Sequence, residues 1–164
     1  MQGKLTLAGL AVSAGYVALS GGASGPAASF AAPAAKAIER LKAKERVVNG
    51  TGMGSLTIDS AGMHDGALLI RIARAGDPHR VKCRVTVSAV SPQESRSAVD
   101  CSQPGGTSAM RRVGIQALDV IVREHVAATI EKRAYDTDRV ADSMIGLVVT
   151  SRPAIAGELA RQAK

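Results

Sequence analysis

From Val81 to Ala89 apolar and polar residues alternate without a break. Val81, Cys83, Val85, Val87 and Ala89 fall on one side, and Lys82, Arg84, Thr86 and Ser88 on the other. A period of two marks a β-strand with one buried face. The tripeptide "SPQ" follows, where Pro92 presets φ for a turn. The chain then returns as "ESRSAVDC". With Ser91, Pro92 and Gln93 as a three-residue loop, Val90 faces Glu94, Val85 faces Val99 and Cys83 faces Cys101. Directly opposed residues hold their Cβ atoms about 4.5–5.5 Å apart, close to disulfide reach. A slip of one residue would turn one sulfur to the opposite face.

Cys83 and Cys101 are the only cysteines in the chain. A zinc site would need further ligands at ligand spacing, and none lies nearby. Their separation rules out a C-x-x-C redox pair. Two buried free thiols in a cytosolic protein are the competing reading. The amino terminus favours the disulfide. Lys4 is followed by a charge-free run from Leu5 to Leu19 and then by small residues. That is the layout of a secretory signal or an uncleaved anchor. Small-residue cleavage points lie at Ala23 and Ala31. The first arginine is Arg40, which disfavours an Arg-rich mitochondrial leader. Lys36, Arg40, Lys42, Lys44 and Arg46 follow the apolar run and oppose Lys4 under the positive-inside rule, so topology is left to the cysteines. Disulfides persist outside the reducing cytosol. Residues 1–31 are therefore read as signal peptide or membrane anchor with a small-residue linker. Residues 32–164 are read as one periplasmic or extracytoplasmic domain, with residues 5–22 as its inner-membrane tether if they are retained.

The rest of the domain follows from periodicity. "PAAKAIERLKAKERVV" reads as a helix opened by Pro33, with Ile38, Leu41 and Val48 as its apolar stripe. "SLTID" and "GALLIRIAR" read as strands, with "AGMHD" and "AGDP" as the loops after them. The cysteine hairpin completes four strands. Met110, Gly114, Ala117, Leu118, Ile121, Val122, Val126 and Thr129 share one broad helical face, with His125 within it. Arg112, Gln116, Asp119 and Arg123 lie opposite. Asp136 or Thr137 can cap a further helix, and Pro153 is expected to start another. The predicted fold is α+β: an N-terminal helix, a four-stranded antiparallel meander covered on one face by a long helix, then one or two short helices.

Composition narrows the partners. The chain is 46% hydrophobic but 2% aromatic, with a net charge of +7. Its core must be aliphatic, and it lacks the aromatic platforms on which single-stranded nucleic acid stacks. No nucleic acid partner and no cofactor are expected. Two basic clusters stand out. Arg71, Lys82 and Arg84 should share the outer sheet face, with Lys82 opposite Arg71. Like charges opposed across strands are unfavourable, and an acidic envelope protein or anionic lipid headgroups would relieve them. Gly105, Gly106, Thr107 and Ser108 lead into a helix whose first turn carries Arg111 and Arg112. Positive charge there opposes the helix dipole, and a bound anion would relieve it. A flexible turn, an ordinary cap and two solvated arginines account for the same residues.

Catalytic signals are sparse. "GTGMGS" lies between helix and strand, the reverse of dinucleotide-binding order. His64, Asp65, Asp77 and His79 sit on loops at opposite ends of one strand, so no shared metal site is expected. No G-x-S-x-G elbow occurs. His125 is a packed core residue, or a base in a small hydrolase or transferase that also uses the Gly105–Arg112 loop. The expected role is binding or assembly at the cell envelope. That enzyme and a carrier of an apolar ligand are the alternatives.

Overall fold

The structure is a computed structural model, and it describes residues 27–49, 54–77, 80–102 and 108–163. Its centre is a curved six-stranded antiparallel sheet, a half-barrel. The strands are β1 (Ala28–Phe30), β2 (Arg46–Val48), β3 (Leu56–His64), β4 (Ala67–Arg74), β5 (Arg80–Ser91) and β6 (Glu94–Asp100). Their order across the sheet is β1-β6-β5-β4-β3-β2. Helix α1 (Ala34–Ala43) connects β1 to β2, which are the two opposite edges, so it crosses the whole concave face. Helices α2 (Ala109–Ile130) and α3 (Thr137–Gln162) follow β6.

This corrects the expected four-stranded meander with a leading helix. Two edge strands were not foreseen, because three residues are too few to show a period. Val48, expected on the apolar stripe of the first helix, belongs instead to β2, where it pairs with Leu56. The first helix stops at Ala43, and Lys44 is already extended. β1 pairs with β6, Phe30 opposite Ser95, and Phe30 is 6% exposed. Residues that the sequence reading gave to the linker thus belong to the sheet. Both edge strands are short, which limits the unpaired backbone offered to other chains.

The turns differ in detail. "AGMHD" continues β3 rather than forming a loop, with a bulge between Ser60 and Gly62. Gly62 sits there at φ +94, a value side chains resist. The reversal falls at Asp65 and Gly66, both at positive φ, the dihedral requirement of a two-residue hairpin turn with Asp-Gly. The cysteine hairpin keeps the expected Val85–Val99 register. Its turn is tighter: Ser91 pairs with Glu94, and the extra residue is absorbed as an irregularity between Ala89 and Ser91.

The core is aliphatic. Ile58, Leu68, Ile70, Val85 and Val99 line the inner sheet face. Ala37 and Leu41 come from α1, and Ile121, Val122, Val126 and Ile130 from α2. At about 25 cal/mol per Å² of apolar surface buried, this cluster is the main favourable term. The end of α2 is buried nearly all round: His125, Val126, Ala128, Thr129 and Ile130 are all inside. Its start is not, and Met110 is 60% exposed.

The expected break at Pro153 is absent. α3 is one helix of 26 residues with Pro153 inside it. An interior proline costs a helix about 3 kcal/mol. Here Pro153 is exposed, while Met144, Leu147, Ser151, Ile155 and Glu158 recur at helical spacing on one half-buried side. α3 packs against α2, and that shared face holds the helix together across the proline.

Candidate functional site

Cys83 and Cys101 form a disulfide, with Cα atoms 4.1 Å apart. The position follows from the hairpin register: with Arg84 opposite Asp100, the next opposed pair is the two cysteines. Both are buried, at 0% and 1% exposure. Disulfides are the stable state of cysteine pairs in oxidising compartments. Among the described residues no helix is long and apolar enough to cross a membrane; residues 5–22, the expected tether, lie outside the described residues.

On the outer sheet face Arg71 does lie opposite Lys82. It also lies opposite Asp59 on the other side, and the two make a bidentate ion pair, with Arg71 Nε donating to Asp59 Oδ1 at 2.8 Å. The guanidinium hydrogen bonds hold the Asp59 carboxyl below its usual range. Arg84 approaches Asp65 at 3.7 Å. Sequence reasoning saw the cations but not these carboxylates, because Asp59 becomes a neighbour only through the β3–β4 register. Arg80, Lys82, Arg84 and Arg96 remain exposed on that face.

At the start of α2, Gly105, Gly106 and Thr107 lie outside the described residues. Ser108 caps the helix, its Oγ accepting from the Arg111 backbone N–H at 3.1 Å. The Ala109 N–H donates to a carboxylate oxygen of Glu158. An anion therefore does sit at this terminus, and it comes from the far end of α3. Arg111 and Arg112 are exposed beside it. An external anion would share this place with Glu158.

His125 has no exposed surface, and neither ring nitrogen has a hydrogen-bond partner among the described residues. Burial, aided by the charges of Arg46 and Lys44, pushes its pKa down to about 4. The imidazole is thus neutral at physiological pH and shut off from solvent. Nearby polar groups share this condition: Thr129 Oγ1, Tyr135 Oη and Arg46 Nε are also buried without partners among the described residues. Arg46 stacks over the Tyr135 ring at 5.3 Å. Burial raises the Tyr135 pKa.

Glu124 was not singled out from the sequence. It is 6% exposed and takes both guanidinium branches of Arg133, one at 3.0 Å. It also accepts from the Asp136 N–H at 2.9 Å. The hydrogen bonds from Arg133 to Glu124 raise the arginine's pKa. This carboxylate pins the turn between α2 and α3. Asp136 itself caps α3, accepting from the Arg139 N–H at 2.9 Å. No signal in the sequence marks Glu124, because a lone Glu on a helix is ordinarily solvated.

The most open feature is α3. Val140 is its only buried residue. Beside the side facing α2 runs a second apolar stripe of Ile145, Val148, Val149 and Leu159, exposed by 62%, 50%, 57% and 58%.

Among the described residues no group of acidic, His and Cys side chains could hold a metal ion. Two open surface depressions are present among the described residues: one is lined by Arg133–Asp138, the other by residues of β1, Arg40 and Ile130–Lys132. Comparison with family models, with curated proteins and with solved structures found no match.

Proposed function

We propose that this chain is an exported cell-envelope domain that works by binding and assembly. The observation that carries this is α3: a 26-residue helix that buries one residue and presents four large apolar side chains to solvent. Single exposed apolar residues need no explanation, but Ile145, Val148 and Val149 adjoin one another at helical spacing, and such a patch marks an interaction surface. The disulfide supports a place outside the cytosol, in the periplasm or beyond it. The N-terminal run then serves as export signal or tether. The exposed cations of the outer sheet and the start of α2 support an acidic envelope protein as an additional partner. That partner is favoured over lipid headgroups, because Asp59, Asp65 and Asp100 interrupt the sheet cations.

Neither alternative draws support from the geometry. A base at His125 would need an opening of the α2 end before it met water or substrate. A carrier of apolar ligands needs an enclosed apolar cavity, whereas the depressions at Arg133–Asp138 and beside Arg40 are open and carry charged groups in their walls. The test is fractionation of native cells with intact-mass measurement. The expected result is an extracytoplasmic protein two hydrogens lighter than its reduced mass. Cytosolic recovery with both thiols alkylatable would overturn the reading.

A further inference from the structure

We propose that the outer stripe of α3 docks onto the same stripe of a second copy, antiparallel, about a two-fold axis at the level of Leu147. This rests on reading α3 as an assembly face and names its occupant. The charge pattern is what selects a second copy. Asp142 and Arg152 lie on the same side of the helix, before and after Ile145, Val148 and Val149 and with Leu159 beyond Arg152, and neither makes an ion pair among the described residues. They stand ten residues apart, roughly 15 Å along a helix, too far to meet within one chain. Each lies five residues from position 147. An antiparallel partner related by an axis there brings its Arg152 to the level of Asp142, and its Asp142 to the level of Arg152. The same operation sets Ile145 against the partner's Val149, twice. The interface is isologous and closed, as two-fold pairs are. A parallel arrangement in register would instead place Asp142 on Asp142 and Arg152 on Arg152.

The size of the stripe sets the strength. A standard interface takes about 800 Å² from each partner. The part of α3 that overlaps its partner about this axis, residues 137–157, is roughly 30 Å long and leaves Leu159 outside, so one stripe of it offers less than half of that. Association should therefore be weak, with a dissociation constant of about 10–100 µM.

The test is sedimentation velocity on the full chain with its disulfide intact, loaded across about 1–500 µM. A reversible monomer–dimer equilibrium is expected. Val149→Glu should weaken it about a hundredfold, because two charges would be buried per dimer. Asp142→Arg and Arg152→Asp should each weaken it about tenfold, and the double exchange should restore it to within about threefold. Circular dichroism of each variant checks that α3 is intact. A monomer at all loadings overturns the proposal. So does a dimer indifferent to Val149→Glu, or a double exchange no better than the singles. Site-specific crosslinking from position 149 in cells separates the two readings. Crosslinks to a different protein, with a strict monomer in solution, would overturn the second copy and retain α3 as a binding face. No crosslinks at all would overturn both.

Discussion

Acidification from pH 7 to pH 4 should destabilise this protein through one side chain, His125. The imidazole has no exposed surface, lacks hydrogen-bond partners among the described residues, and lies in the field of Arg46 and Lys44. In the folded state it takes a proton only near pH 4, against 6.5 when solvated. Between those values the unfolded chain binds the proton and the folded one does not. Stability is therefore full above about pH 6.5 and is lost as pH falls toward 4. At 1.36 kcal/mol per pH unit the loss attributable to this residue is about 3 kcal/mol. Marginal domains hold about 5–15 kcal/mol in total, so the effect is large. The assay is urea unfolding followed by far-ultraviolet circular dichroism at several pH values, in the native sequence and in His125→Leu. Carboxylates such as Asp59 and Asp119 titrate alike in both proteins and cancel in the difference. Wild type should lose about 3 kcal/mol relative to the variant over this range. Parallel pH profiles would refute the reasoning, since they would mean that the folded state protonates His125 as readily as the unfolded chain does.

Three further outcomes are expected. Cys83 and Cys101 should resist alkylation until a reductant is added, and replacing both with Ser should cost about 3 kcal/mol in the chain-entropy account, read as a lower urea midpoint. Arg133→Met should cost about 2–3 kcal/mol by leaving the buried Glu124 carboxylate without its guanidinium; Glu124→Gln combined with Arg133→Met should recover part of that loss in a double-mutant cycle. Removing residues 1–26 should leave the domain folded. Removal through Ala31 should cost about 3 kcal/mol or more through loss of β1 and the buried Phe30, measured by thermal unfolding of the two truncations side by side.

The sequence by itself determined the cysteine hairpin. Strict alternation gives each strand one buried face, and with Pro92 at the turn a single register satisfies both the valines and the sulfurs. It also determined the long aliphatic face of α2 and narrowed the cap of α3 to Asp136 or Thr137, since these rest on spacing within one segment; the structure selects Asp136. Tertiary structure decided what depends on partners distant in the chain. The edge strands Ala28–Phe30 and Arg46–Val48 are too short to show a period and exist because β6 and β3 offer open backbone beside them. Pro153 does not end its helix because α2 holds the residues on both sides of it. Asp59 neutralises Arg71 only through strand register, and Glu158 reaches the start of α2 only because two helices run antiparallel. Whether His125 is solvated or sealed was equally undetermined by helical phase, which places it on the apolar face. Its isolation comes from the sheet, α1 and α3 closing around the end of α2, a property of packing that no local pattern encodes.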